Sequence, residues 1–229
     1  MREIVMDTET TGLDPYDGHR LVEIGGVELI NHVPTGRTYH QYINPKRDVP
    51  TEAFEVHGLS QEFLSDKPVF SEVADQFLDF VQDAKLVIHN ATFDMKFLNA
   101  ELSWIDKPLL PNNQAIDTLA IARRKFPGSP ASLDALCRRF GIDNSARTLH
   151  GALLDSEILA EVYLELLGGK QPDFALLTTA SVKSSNTQID WKPSARPTQL
   201  PSRVSENEKA AHQDFVDNLG DAALWKSFS

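Results

Sequence analysis

With 229 residues, 41% of them hydrophobic and 24% charged, the chain has the material for one sizeable core, and no apolar run of about 18 residues that would cross a membrane. A lone cysteine, Cys137, excludes an intrachain disulfide, and the start lacks the apolar stretch of a secretion signal, so a cytoplasmic protein is expected. The net charge of −11 argues against a broad basic face gripping nucleic acid, but not against holding a few nucleotides through metal ions.

In chain order, "EIVMD" (3–7) reads as a strand, and "LVEIGGVELI" (21–30) with "TYHQYI" (38–43) as a hairpin closed around "NHVPTGR". A helix is predicted over 71–82, with Ser71 as N-cap and Val73, Phe77, Phe80 and Val81 on its apolar face. "KLVIHN" (85–90) is a short buried strand running into a helix capped by Asn90. Further helices are predicted at 117–126, 132–140 and 151–167. Cys137 reads as helix packing. The basic clusters around 122–128 and 137–140, and Arg147, are open to two readings, solvated helix faces or phosphate contacts. Strands first and then strand alternating with helix indicate an α/β layer on a mixed sheet.

Past Gly169 the composition changes. Between Gln171 and Pro201 lie four prolines and eight Ser or Thr residues with no sustained period, a linker composition. Periodicity returns in the tail, where Ser205 and Glu208 form a capping box and Ala211, Phe215 and Leu219 recur every four residues. The expected division is therefore 1–169 as the main folded domain, 170–202 as a flexible linker and 203–229 as a segment with a short helix that folds on a partner.

Chemistry enters at the end of the first strand. Asp7 and Glu9 lie two apart and face one way. In the helix over 151–167, Glu157, Glu161 and Glu165 make the solvent face, whereas Asp155 points with the buried stripe of Ile158 and Leu159. Asp94 repeats that anomaly one turn before Phe97 and Leu98. Carboxylates sent inward from three segments without a matching set of Lys or Arg repel one another unless divalent cations sit between them. Oxygen-only ligands favour Mg²⁺ or Mn²⁺ over zinc, and a pair of such ions serves in-line attack on a phosphodiester. His150 lies five residues before Asp155, with Gly151 behind it. It reaches the same site only if it precedes the regular helix, and there it is suited to take a proton from water.

These residues, in "DTETTG", "HNATFD" and "HGALLD", resemble the DEDD 3′–5′ exonucleases of the histidine subclass. The place of the tyrosine subclass's aromatic base is held here by Gly151. "EAFEVHGLS" and "SLDALCRRFGIDNSARTLHGALLD" extend the resemblance to the proofreading members that serve bacterial replicative polymerases. It implies a ribonuclease H-like fold, a five-stranded mixed sheet with helices on both faces. It also implies a first metal held by Asp7, Glu9 and Asp155, a second held by Asp7 and Asp94, and His150 as general base. Thr10, Glu52, His57, His89, Asn90 and Phe93 match positions around the terminal nucleotide, Phe93 by stacking. The implied substrate is a single-stranded or frayed 3′ end of DNA. The tail is implied to bind the polymerase catalytic subunit, with Phe215, Leu219 and Trp225 as anchors. "QPDFAL" (Gln171, Phe174, Leu176) is similar to motifs that enter a sliding clamp. Whether a small accessory subunit also binds stays open. The alternatives are an RNA-trimming exonuclease of the same family and a non-catalytic bridge between polymerase and clamp. His19, His32, His40 and His212 lack motif context and are read as surface.

Overall fold

The computed structural model describes residues 1–169 and 204–219; the expected linker and Gln171, Phe174, Leu176 and Trp225 lie outside them. Five strands form one sheet in the order β3-β2-β1-β4-β5. They are β1 (Arg2–Thr10), β2 (Leu21–Ile30), β3 (Val33–Tyr42), β4 (Lys85–Ile88) and β5 (Ala115–Asp117). The first three pair antiparallel, while β1, β4 and β5 run parallel, giving the expected mixed sheet. The helices are α1 (Thr51–His57), α2 (Gln61–Ser65), α3 (Phe70–Val81), α4 (Ala91–Trp104), α5 (Thr118–Lys125), α6 (Leu133–Phe140), α7 (Ala152–Leu167) and, in the tail, α8 (Glu206–Asn218). None is long and apolar enough to cross a membrane.

The alternation along β1 decides what lies on each face. Ile4 and Met6 enter a core built with Phe70 and Phe77 of α3 and Phe97 and Leu98 of α4. Val5 points the other way, joining Val27, Leu29 and Val87 against Leu159 and Tyr163 of α7. A third cluster ties α5 and α6 to α7 through Ala122, Leu136, Cys137, Ile158 and Val162. Burial raises the pKa of the Cys137 thiol, consistent with packing rather than nucleophilic chemistry. Glu3, on the Val5 face, is fully buried and accepts a 2.7 Å hydrogen bond from the Tyr163 hydroxyl.

A close backbone approach joins β2 to the start of α7. A Cβ on Gly25 would lie 2.2 Å from the Ala152 carbonyl carbon and from the Leu153 amide nitrogen. Ser156 Oγ donates to the Gly25 carbonyl at 3.1 Å beside that contact. Only glycine permits this seating.

Three local expectations are corrected. The hairpin turns on Asn31 and His32 alone, both at positive φ, as a two-residue turn matching strand twist requires. Thus β3 starts at Val33, and its Pro34 is tolerated because this is an edge strand. Helix α3 begins at Phe70 rather than after Ser71: Phe70 is buried, and the Glu72 carboxylate accepts the Val69 amide at 3.1 Å. Asn90 occupies the N-cap position of α4 but makes no side-chain cap; it is left-handed at φ 68°, and its amide donates to Asp117 Oδ1. In α8 the Ser205–Glu208 capping box forms as predicted, with the Ser205 amide donating to Glu208 Oε2 at 2.8 Å.

Candidate active site

Because β1 and β4 run parallel, their carboxyl ends open on one edge of the sheet, where α/β folds place ligands. Asp7 and Glu9 occupy that end of β1 on the face covered by α7. Asp155, in the first turn of α7, meets them there and is buried. Asp94, in the first turn of α4, comes from the opposite face and accepts from Thr8 Oγ1 at 2.6 Å. The four inward carboxylates predicted from sequence therefore converge.

Their electrostatics are those of a crowded acidic site. Burial, then the charges of Asp94, Glu9 and Asp155, drives the pKa of Asp7 well above the carboxylate range. Burial, then Asp155, Glu23 and Asp94, lifts Glu9 to about 8. Burial lifts Asp94 to about 7, against the opposing hydrogen bonds from Thr8 and the backbone. Glu23 enters because it lies directly across from Glu9 in the β1–β2 pairing. Glu9 Oε1 is buried with no hydrogen-bond partner. Such an atom, buried among clustered carboxyls whose charges repel one another, fits a cation better than it fits solvent.

The loop before α7 supplies a group that no motif assigned to the carboxylates. Arg147 is nearly buried and holds Asp155 through both Nε and Nη2, the latter at 2.8 Å from Oδ2. Its Nη1 reaches Asp134 at 2.9 Å, and Nη2 lies 2.8 Å from His150 Nδ1. The premise that no arginine balances the carboxylates is thus corrected: one does, at one of the four. Although burial pushes Asp155 up, the hydrogen bonds from His150 and Arg147 outweigh it and hold the carboxyl below its usual value. His150 precedes the regular helix, as the spacing required. Its amide donates to the Val56 carbonyl at 3.0 Å, and its half-exposed imidazole sits with Nδ1 3.3 Å from Asp155 Oδ2. One ligand atom each from Glu9, His150 and Asp155 falls within 4.8 Å of the others.

Two clefts meet at this edge. One of about 570 Å³ is lined by Asp7, His150 and Asp155 with His89, Asn90 and Arg123. The other, of about 590 Å³, is lined by Glu9, Thr10, Glu52, His57 and Phe93, with Leu13 and His19. The six positions matched to the terminal nucleotide are thereby divided, Thr10, Glu52, His57 and Phe93 in one cleft and His89 and Asn90 in the other. His57 is buried and accepts the Leu59 amide at Nδ1, leaving Nε2 without a hydrogen-bond partner. Burial lowers its pKa. His89 is fixed by Thr118 Oγ1 at 2.9 Å, and burial lowers its pKa as well.

The exonuclease family pattern matches residues 4–163, most of the chain. The chain belongs to that exonuclease family. Among curated relatives, this exonuclease is 50% identical to the DNA polymerase III subunit epsilon of Rickettsia conorii, over 96% of each chain. It is 45% identical to the subunit of the same name from Escherichia coli, over 99% of this chain and 98% of that one. Among solved structures it is similar to Exonuclease X in complex with 5′ overhanging duplex DNA, with a TM-score of 0.56 and 27% identity, covering 72% of this chain and 90% of that one. The fold also matches the nuclease domain of 3′hExo, a DEDDh family member bound to rAMP, at a TM-score of 0.62 and 21% identity, covering 72% and 91%. The expected fold class and the resemblance to proofreading exonucleases are borne out.

Three histidines read as surface have partners. His40 Nε2 is 2.7 Å from Glu23, His32 Nδ1 is 2.8 Å from buried Glu3, and His19 Nδ1 is 3.3 Å from Thr11 Oγ1. No sequence spacing signals these, because each depends on strand register or on a loop returning. His212 is exposed, as expected.

Proposed function

We propose that this proofreading 3′–5′ exonuclease hydrolyses the terminal phosphodiester of a frayed DNA 3′ end with two divalent cations, Mg²⁺ or Mn²⁺, releasing a nucleoside 5′-monophosphate. The observation that carries this is the convergence of Asp7, Glu9, Asp94 and Asp155 at one sheet edge, with raised pKa values at the first three and an unpartnered Glu9 oxygen. Asp7, Glu9 and Asp155 would hold one cation and Asp7 and Asp94 the other. Bound there, the cations supply charge neutralisation at the phosphodiester and make water a better nucleophile. His150 accepts the attacking water's proton at Nε2 as the bond from phosphorus to the penultimate O3′ breaks.

The cleft under Phe93 and His57 receives the terminal nucleoside, Phe93 by stacking on the base. Such a site takes an unpaired end, so mismatched termini, which fray more readily, are cut preferentially. The net charge of −11 suits an enzyme to which the end is delivered by a polymerase. The segment 203–229 binds the polymerase catalytic subunit, supported by Phe215 and Leu219 of the tail standing 62% and 49% exposed; Trp225 joins them. The segment around Gln171, Phe174 and Leu176 is a candidate clamp contact, and the cytoplasm is the site of action. The test is turnover on a 3′-mismatched primer with Mg²⁺, in parallel with an RNA oligonucleotide. Asp7→Ala is expected to abolish cleavage. A variant as fast as the parent, or a parent that cuts only RNA, refutes the proposal.

A further inference from the structure

We infer that Arg147 is a built-in counter-ion that trades places with a metal at Asp155, and that Asp134 receives it when displaced. Three observations carry this. First, Arg147 engages both oxygens of Asp155, so a cation seeking that carboxylate meets a guanidinium already there. Second, the guanidinium is nearly buried beside the clustered carboxyls of Asp7 and Glu9, so its positive charge stabilises the metal-free state strongly. Third, only one of its nitrogens, Nη1, contacts Asp134, which is half-exposed at the rim of the same cleft. Freed from Asp155, the fork can turn fully onto Asp134 and keep a partner.

Arg147 and His150 share a loop and touch each other. The exchange therefore also frees the imidazole, whose Nδ1 and Nε2 lie 2.8 and 3.3 Å from the same guanidinium nitrogen, linking metal occupancy to release of the proposed base. Arg147 acts through Asp155 and His150 as a positioning residue and needs no contact with substrate. It sets how tightly the site holds metal, keeping the acidic cluster folded while no metal is bound.

The inference rests on the two-cation reading, and the experiment separates the two. Mn²⁺ binding to the full chain is measured by titration calorimetry. Absence of Mn²⁺ binding to the parent overturns the metal reading itself. Given parental binding, Arg147→Met is expected to bind Mn²⁺ about tenfold tighter and to melt lower than the parent in chelator, with that deficit gone in saturating Mn²⁺. Asp134→Asn is expected to weaken Mn²⁺ binding several-fold when Arg147 is present and to have no effect beside Arg147→Met, because it acts only through the displaced guanidinium. Equal weakening in both backgrounds means a plain loss of nearby negative charge and overturns the exchange. Should Arg147→Met fail to fold, Arg147→Lys keeps the charge and loses the fork; affinity equal to the parent's then overturns the inference.

Discussion

Removing the metal and raising the pH should destabilise the exonuclease domain, in a direction fixed by its carboxyls. Glu9 rises from 4.5 to about 8 and Asp94 from 3.8 to about 7 in the folded protein. Between the unfolded and folded values the native state holds protons that the unfolded chain has released, so stability falls as pH climbs from about 4 towards 8. Asp155 moves the other way; its contribution is lost only as pH falls through its depressed value and leaves this window untouched, while the lowered pKa values of buried His57 and His89 oppose the trend within it by a smaller amount. Each tenfold gain in proton affinity on folding corresponds to about 1.4 kcal/mol, so Glu9 alone would account for about 5 kcal/mol. The groups share neighbours and do not add, so roughly 5 kcal/mol is expected for the set, out of a total stability of about 5–15 kcal/mol.

For a domain of this size that corresponds to a Tm lower by roughly 10–20 °C at about pH 8 than at about pH 5. Scanning calorimetry in chelator across that range measures it, with saturating Mg²⁺ as the second arm. Metal should restore stability most at the alkaline end, where no proton competes for the ligands. Glu9→Gln should flatten the slope. A metal-free Tm that is level or rises over this range, or a Mg²⁺ effect equal at both ends, would refute the account of the acidic cluster.

Gly25→Ala drives a methyl group into the α7 backbone and should cost about 3 kcal/mol, with a fall in kcat larger than the change in KM because Asp155 moves; unchanged turnover and melting would show that the contact is slack. Thr8→Val removes the hydrogen bond to Asp94 and should cost about 2 kcal/mol in chelator, read by urea denaturation, while turnover on a mismatched primer drops. Replacing Phe215 and Leu219 by Ala should weaken polymerase binding at least tenfold in surface-plasmon titrations, roughly 1.4 kcal/mol or more, and leave hydrolysis of short oligonucleotides intact; loss of both together would contradict a separate binding segment.

The acidic residues were legible in the sequence because each broke a pattern. Asp155 sat on the apolar stripe of a helix, Asp94 stood one turn ahead of Phe97 and Leu98, and Asp7 with Glu9 ended an apolar strand. Position within a period is local information, and period survives in a single chain. Arg147 broke no pattern: it lies in the irregular stretch between α6 and α7, eight residues from Asp155, where no helical or strand period relates them. Glu23 became part of the site only through β1–β2 register, as Glu9's cross-strand neighbour. The three-residue β5 was too short to show an alternation. The start of α3 and the role of the Asn90 side chain were misread for a related reason: burial of Phe70 and the left-handed turn at Asn90 overrode ordinary capping preference.

The seating of α7 on Gly25 also divides labour among the residues of the candidate site. Asp7, Glu9 and Asp155 belong to one stiff body, since β1, β2 and the first turn of α7 are joined where backbone touches backbone. His150 and Arg147 lie just outside that body, on the irregular chain between α6 and α7, tied back by the His150 amide to the Val56 carbonyl and by Arg147 to Asp155. Substitutions drifting through the loop can therefore retune how tightly the site takes a cation, while Asp7, Glu9 and Asp155 keep the placement that the sheet and the Gly25 contact give them.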